Sequence, residues 1–248
     1  MLEADDVTLD RLLEGRVRLR QPRRGHRAGT DAVLLAACVG ARRGEVVADL
    51  GAGTGAVGIM AGVRTAAELL LVERDPALVA LARENLSLNG LSGRAVAADL
   101  LETGEKRRAR GLEPETVDWV ATNPPFLNAA SARSSPDPGR SAAHHMPADG
   151  LGRWLRAAAD LLKPRGRLAM IHRADALAEC LRLLSAGFGG ASLRPVHPRP
   201  DEPATRVLLM ATKGSRAPLT VAPPLVLHET NGAFTPLAAA LHRGEGGL

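Results

Sequence analysis

The fold of this chain is decided by residues 46 to 55, which read VVADLGAGTG. The first five residues are apolar apart from Asp49, as in a buried strand, and three alternating glycines then permit a tight turn that a ligand can approach closely. A helix is predicted to follow, from Thr54 to Val63. A buried strand that leads through a glycine-rich turn into a helix is typical of the first unit of a doubly wound α/β fold.

Farther along the chain, short apolar runs alternate with amphipathic stretches, which indicates a parallel sheet with helices on its faces. Further strands are predicted at residues 69–72, 94–98, 117–121, 167–172, 191–196 and 206–211. Helices are predicted at 75–90, 151–162 and 174–184. The stretches 103–115 and 129–147 are charged or rich in Pro, Gly and Ser, and we expect surface loops there.

The length and composition fit one large α/β domain or a domain with a small appendage. We expect a basic N-terminal segment with a helix at residues 1–45, a core at 46–212, and a C-terminal extension at 213–248 that packs on the core. No apolar run is long enough for a transmembrane helix, and the acidic start lacks a secretion segment. Cys38 and Cys180 are expected to be buried thiols in a reducing cytoplasm. The histidine spacing predicts no metal site.

Arginines are concentrated near the start of the chain, which has a net charge of +5. A codon bias explains their abundance but not this clustering. A concentrated basic arm fits a polyanionic partner such as RNA, and a solvated face is the alternative. The predicted RNA contacts are Arg20, Arg23, Arg24 and Arg27.

Acidic residues lie at the ends of three successive predicted strands. Asp49 can accept a hydrogen bond from a cationic amino group, and Glu73, about 20 residues on, from both hydroxyls of a ribose. Asp99 can accept from the amino group of an adenine, and a carboxylate of the ligand can bind the helix N-terminus. Together they predict a cationic, phosphate-free adenosine ligand, and S-adenosylmethionine fits. The formal G-x-G-x-x-G from Gly53 to Gly58 leaves an NAD-dependent oxidoreductase as an alternative.

The fourth strand of this core runs into Asn123-Pro124-Pro125-Phe126. Two consecutive prolines end a strand and fix a rigid corner. A carboxamide just before the corner and a ring just after it are suited to grip a flat molecule that carries an amino group. An ordinary strand-ending turn is the alternative, because Asn-Pro is common in loops.

These stretches resemble those of class I, Rossmann-like S-adenosylmethionine-dependent methyltransferases. Residues 49–55 are similar to the first motif of that family, and the acids and the proline corner to later motifs. The resemblance covers roughly residues 28–212 and implies a seven-stranded, mostly parallel sheet with helices on both faces and one antiparallel strand near the edge. It implies cofactor contacts from Asp49, Gly51, Gly53, Gly55, Glu73, Asp99, Leu100 and Asn123.

Methyltransferases with this corner act on planar nitrogens: adenine N6, cytosine N4, guanine N2 or a glutamine amide. The resemblance implies that the Asn123 side-chain oxygen and the Pro124 carbonyl accept the N–H groups of the substrate amine. It also implies that Phe126 stacks on the acceptor ring. Pro125 completes this catalytic corner.

The flanking segments narrow the resemblance. Gly29, Thr30 and Asp31 start a predicted helix, with Thr30 or Asp31 as its cap. This run resembles the segment that closes over the cofactor in the methyltransferases of adenine N6 beside the anticodon of a valine tRNA. The tail resembles that family at 213–214, 224–228 and 232–235, although Phe126 and Phe234 stand where the family often has Tyr. The resemblance therefore implies methylation of a tRNA adenine.

Three alternatives stay open, as does the oligomeric state. A protein glutamine N5-methyltransferase of peptide release factors uses the same corner but typically carries a separate helical N-terminal domain. Only residues 1–45 precede the first core strand here. A nicotinamide oxidoreductase gives the corner no role, and this chain has no tyrosine for a Tyr-x-x-x-Lys site. A non-enzymatic RNA-binding module requires a degenerate cofactor pocket, whereas the motif residues are intact.

Overall fold

A computed structural model describes residues 6–25, 27–125 and 146–248 of the chain. Phe126 and most of the loop predicted at 129–147 lie outside these ranges. The strands are β1 Val7–Leu12, β2 Val17–Pro22, β3 Val46–Leu50, β4 Glu68–Glu73, β5 Gly93–Ala97, β6 Val117–Thr122, β7 Leu162–Arg173, β8 Phe188–His197, β9 Arg206–Lys213, β10 Thr220–Val221 and β11 Leu225–Val226. The helices are α1 Thr30–Ala37, α2 Ala56–Thr65, α3 Pro76–Leu88, α4 Gly104–Ala109, α5 Gly150–Leu161, α6 Leu177–Leu184 and α7 Pro236–His242.

The large sheet has the order β10-β8-β9-β7-β6-β3-β4-β5, and β11 also pairs with β8. Strands β5, β4, β3, β6 and β7 are parallel, whereas β9 is antiparallel to both of its neighbours. The predicted mostly parallel sheet with an antiparallel strand near its edge is confirmed. The strand count differs: nine strands are present because the two-residue strands β10 and β11 extend the seven predicted ones along the β8 edge.

Helices cover both faces of the sheet because the strands bury apolar side chains on both sides. In β3, Val47 packs into the layer that contains α1, α2 and α3, whereas Ala48 and Leu50 pack into the layer that contains α5 and α6. Burial of a leucine-sized side chain contributes about 2 kcal/mol, so both layers stabilise the sheet. The two cysteines are buried free thiols, Cys38 in the first layer and Cys180 in the second.

Helix α3 begins and ends as predicted. The Asp75 side chain accepts a hydrogen bond from the Ala77 amide at 2.8 Å, Pro76 takes the first helical position, and Asn89 is the C-cap. An acidic N-cap followed by proline is favoured because the first amides have no partner within the helix.

Helix α4 lies within residues 103–115, so the prediction of a loop there was wrong. The Thr103 side chain caps the helix by accepting from the Lys106 amide. Arg107 is only 8% exposed, and its guanidinium donates to the carbonyls of Leu100 and Glu102 and to the Asp160 carboxylate at 2.6 Å. The charged composition suggested a solvated loop, whereas one of its cations is a buried anchor for the helix.

The basic N-terminal segment contains a β-hairpin, which the sequence patterns did not predict. Strands β1 and β2 form a separate two-stranded antiparallel sheet. Val17 and Leu19 of β2 are fully buried in the layer with α2 and α3, and the alternate residues Arg18 and Arg20 are exposed. The period of two along β2 therefore displays its arginines on the outer face.

The residues beyond 212 pack on the rest of the chain through backbone contacts. Strands β10 and β11 pair with β8, helix α7 contacts α1, and the Leu248 amide donates to the Ala37 carbonyl at 3.0 Å. Among the helices that the structure describes, none is long and apolar enough to cross a membrane.

Candidate cofactor and substrate site

The glycine turn, Glu73 and Asn123 meet at the carboxyl edge of the parallel strands. Leu50, the last residue of β3, is paired with Val72 of β4 on one side and with Thr122 of β6 on the other. Glu73 and Asn123 are the next residues along those two strands, so they flank the glycine turn. Ligands of open α/β sheets bind at this edge.

The glycine turn has the backbone conformation that the sequence predicted. Gly51, Gly53 and Gly55 have φ values of +76°, +55° and +88°, which residues with a Cβ atom rarely adopt. The Gly51 and Ala52 amides donate to the Val72 carbonyl at 2.9 and 3.0 Å. Helix α2 begins at Ala56, two residues later than predicted, because Gly55 is its left-handed N-cap.

Asp49 lies beneath the turn, with 2% of its surface exposed. Its Oδ2 accepts the Gly58 amide at 2.8 Å, and a Cβ on Gly58 would lie 3.1 Å from the Asp49 Cβ, so only glycine fits there without a shift. Burial raises the pKa of Asp49 to about 7, although the Gly58 hydrogen bond opposes this shift. Its predicted bond to a cationic amino group stays a prediction.

Backbone amides hold the other two acidic residues in place. Glu73 accepts the Gly53 amide at 2.9 Å on Oε2, and the Arg74 and Asp75 amides on Oε1. The Oδ1 atom of Asp99 accepts the Leu101 amide at 2.8 Å. The side chains of both acids are thereby oriented at the carboxyl edge.

Leu100, a predicted cofactor contact, is 3% exposed and packs in the layer with α5. Its side chain therefore supports the Asp99 turn from below.

The proline corner is fixed from below by Thr122. This residue is fully buried, and its hydroxyl donates to the Leu50 carbonyl at 2.8 Å and accepts from Trp154 Nε1 at 2.9 Å. The end of β6 is thus tied to the end of β3, directly before Asn123. Asn123 and Pro125 are half-buried and Pro124 is buried.

Sequence patterns gave Trp154 only a place on the apolar face of a helix. Its ring also lies 2.9 Å from where a Cβ of Gly51 would be, so it packs against both the corner and the glycine turn. A buried indole N–H needs an acceptor, and that requirement was the one available signal for its bond to Thr122.

Comparison with known proteins identifies the family. Residues 27–193 match the family model described as the methyltransferase small domain. The chain belongs to this methyltransferase family.

One relative is a protein of Porphyromonas gingivalis named tRNA1(Val) (adenine(37)-N6)-methyltransferase, 31% identical over 223 residues, which are 85% of this chain and 84% of that protein. A crystal structure of a predicted O-methyltransferase from Agrobacterium tumefaciens is 34% identical with a TM-score of 0.74, and the match covers 88% of this chain and 98% of that one. The T. thermophilus 16S rRNA N2 G1207 methyltransferase, solved with AdoMet and guanosine, shares the fold, with a TM-score of 0.60 and 22% identity over 84% of this chain and 50% of that one.

S-adenosylmethionine is the cofactor that the sequence predicts for this methyltransferase, and the T. thermophilus protein was solved with it, as AdoMet. The residues at the turn fit it, because Glu73 and Asp99 offer carboxylate oxygens beside the glycine turn, in which Gly51 is exposed. A cationic ligand is attracted to such a surface, whereas the pyrophosphate of a dinucleotide is repelled. The family match overturns the alternative of a nicotinamide oxidoreductase.

Helix α1 also starts at the carboxyl edge, but not with the predicted cap. Gly29 is its N-cap and makes no side-chain hydrogen bond. The Asp31 carboxylate pairs instead with Arg206 at 3.0 Å, and Arg206 begins the antiparallel strand β9 at this same edge. Thr30 is half-buried beside it. The predicted contacts of this segment with the cofactor stay a prediction.

The four arginines predicted to bind RNA differ in their surroundings. Arg20 is exposed, 3.8 Å from Glu84, and Arg23 and Arg24 are exposed just after β2. Arg27 instead donates to the Thr8 hydroxyl, the Pro22 carbonyl and the Asp10 carboxylate. Arg27 thus holds the hairpin in place, and its predicted contact with RNA stays a prediction. Within the described ranges, no group of three or more His, Cys, Asp or Glu residues is placed to hold a metal ion.

The raised pKa of Asp49 predicts a specific dependence of stability on pH. The folded-state pKa is about 7 and the ordinary value is 3.8, so folding takes up a proton between these values. The free energy of unfolding of the wild type should therefore fall, relative to Asp49→Asn, as the pH rises from about 4 to about 7, and then level off. The asparagine variant is the matched control because its side-chain oxygen can still accept the Gly58 amide.

Urea denaturation of both cofactor-free proteins across this pH range measures the difference. If the difference in the free energy of unfolding between the two proteins does not change with pH, burial does not raise the pKa of Asp49.

Proposed function

We propose that this enzyme transfers a methyl group to the exocyclic N6 amine of an adenine in tRNA, in the cytoplasm. The observation that carries the proposal is the Asn123-Pro124 corner, which the Thr122 hydrogen bonds fix directly beside the glycine turn. The relatives named tRNA1(Val) (adenine(37)-N6)-methyltransferase support the choice of substrate, since the match covers most of both chains.

The corner supplies two hydrogen-bond acceptors and no base. S-adenosylmethionine supplies an electrophilic methyl group when it is bound. The lone pair of an adenine N6 amine is delocalised into the ring, so the amine is a poor nucleophile. If the Asn123 side-chain oxygen and the Pro124 carbonyl each accept one N–H, the nitrogen can pyramidalise and present its lone pair. Because a carboxamide is not a base, the proton that the amine loses passes to water.

The same chemistry favours a nitrogen acceptor over an oxygen acceptor. A hydroxyl substrate has to lose its proton to a general base as it attacks. Neither a carboxamide nor a proline carbonyl is such a base. The described part of this corner therefore gives no support to O-methylation, the activity that the name of the A. tumefaciens protein suggests for that protein.

An unpaired tRNA loop suits this site. Bases of a single-stranded loop can be splayed out and read by their edges and faces, whereas a base in a duplex must first be unstacked. The exposed arginines Arg18 and Arg20 of β2, together with Arg23 and Arg24 just after it, offer charge for the phosphates on either side of that base.

Analysis of the methylated product tests the proposal. The protein is incubated with methyl-labelled S-adenosylmethionine and, separately, unmodified valine tRNA transcript, bulk tRNA and peptide release factors. The labelled products are then digested to nucleosides or amino acids. We expect the label in N6-methyladenosine. Label in methylglutamine, in a ribose or another base, or in no substrate while the cofactor still binds, would overturn the assignment.

The proposed role of Asn123 predicts an ordered series of variants. Asn123→Asp keeps an oxygen acceptor at the corner, whereas Asn123→Ala removes it. The alanine variant should lose about 100-fold or more in kcat, as expected for removal of one preorganised polar group, and the aspartate variant should lose less. Single-turnover rates with saturating S-adenosylmethionine measure the effect. Equal losses in the two variants would contradict the acceptor role.

The proposed RNA contacts predict a change in salt dependence. Replacing Arg23 and Arg24 by alanine should weaken tRNA binding and reduce the slope of log K against log salt by about 0.7 to 0.9 for each phosphate that is no longer neutralised. Arg182→Ala is the control, because Arg182 lies on α6, on the opposite face of the sheet from the hairpin. An unchanged slope would make the cluster a solvated face whose arginines reflect codon usage.

A further inference from the structure

Asn85 of α3 and Asn89, the C-cap of that helix, hold the outer edge of the basic hairpin. The Asn85 side chain accepts the Arg20 amide at 2.7 Å and donates to the Arg20 carbonyl at 2.9 Å. One helical turn later, the Asn89 side chain accepts the Arg18 amide at 2.9 Å and donates to the Arg18 carbonyl at 2.7 Å. A carboxamide carries the same donor and acceptor as a peptide group, so the two side chains act as a short third strand beside β2.

Of these two asparagines, Asn85 alone also contacts the glycine turn. Its second N–H donates to the Thr54 carbonyl at 3.0 Å. The second N–H of Asn89 donates to the Asn85 carbonyl at 2.7 Å, within its own helix. Asn85 is fully buried and uses both of its N–H groups and its oxygen. The reverse amide orientation would set an N–H against the Arg20 N–H, so the network fixes how Asn85 is placed.

The Thr54 carbonyl is part of the glycine turn. It belongs to the peptide group that continues into the Gly55 amide, which donates to the Ala52 carbonyl at 2.7 Å. Asn85 therefore fixes one peptide plane of the turn while it fixes Arg20 in the hairpin. A single orientation of this side chain is needed for the ordered turn and for the docked hairpin.

We propose that Asn85 is a positioning residue that couples the basic hairpin to the glycine turn. S-adenosylmethionine bound at the turn and RNA bound at the hairpin both favour the same orientation of Asn85, so each strengthens the binding of the other. The coupling is reciprocal, as linkage requires. The RNA half of this inference rests on the proposed function, whereas the link between turn and hairpin does not.

Cofactor affinity measured with and without tRNA tests the coupling. The Kd of S-adenosylmethionine is determined by calorimetry for the wild type, Asn85→Ala and Asn89→Ala, each alone and with saturating valine tRNA transcript. We expect tRNA to tighten cofactor binding of the wild type by about fivefold, near the lower end of known couplings. The ratio of the Kd without tRNA to the Kd with tRNA measures the coupling. Asn89→Ala loses two similar hydrogen bonds to the hairpin but should keep most of this ratio, whereas Asn85→Ala should bring the ratio close to one.

If Asn85 had only a structural role, both variants would be less stable but would show the same effect of tRNA on the Kd of the cofactor. A wild-type ratio in Asn85→Ala, or equal loss of the ratio in the two variants, would overturn the proposal.

Amide hydrogen exchange tests the link between the glycine turn and the hairpin without RNA and without a variant. This test can therefore be made even if Asn85→Ala does not fold. The Arg20 amide donates a hydrogen bond to Asn85, and the Arg18 amide donates one to Asn89. S-adenosylmethionine should slow hydrogen exchange of the Arg20 amide more than that of the Arg18 amide. Equal protection of the two amides, or none, would overturn the link. Failure of tRNA to bind, with Arg20 still protected by the cofactor, would count against the proposed function and leave this link intact.

Discussion

The hydrogen bond between the buried Asp49 carboxylate and the Gly58 amide is the interaction to which the rest of the site conforms. A buried carboxyl group needs a donor, and the free amides at the start of a helix supply one. The bond requires a very close approach of α2 to β3, since a Cβ at position 58 would lie 2.4 Å from Leu71 Cδ2. The place where α2 begins, and with it the path of the turn before it, follows from this contact.

The turn is then held from three directions. Glu73 of β4 accepts its Gly53 amide, Trp154 of α5 packs beneath Gly51, and Asn85 of α3 donates to the Thr54 carbonyl. Glycine-rich backbone has high conformational entropy, so a preformed turn requires such external contacts. Because the contacts come from both faces of the sheet, packing of the core and geometry of the site depend on each other.

Local patterns were sufficient to predict the sheet and the place of the site. The alternation of apolar runs located the seven long strands, and acids at strand ends marked the carboxyl edge, since parallel strands must end there together. Long-range contacts gave no such signal. The bond of Asn85 to Arg20 joins residues 65 positions apart, and the pair of Arg107 with Asp160 joins residues 53 apart. The hairpin and α4 were missed because their stability depends on partners that no local window contains. The same limit hid the internal role of Arg27, whose guanidinium looks no different in sequence from its exposed neighbours.

The placement of Trp154 gives this enzyme an intrinsic optical probe. The chain has two tryptophans and no tyrosine, so its near-ultraviolet emission comes from two known indoles. One of them lies against Gly51 with its N–H bonded to Thr122. The other, Trp119, lies under the Arg167 guanidinium, three residues before the end of β6. A change of emission that disappears in Trp154→Phe but persists in Trp119→Phe would thus report events at the turn itself, and the kinetics of ligand arrival could be followed without an attached dye.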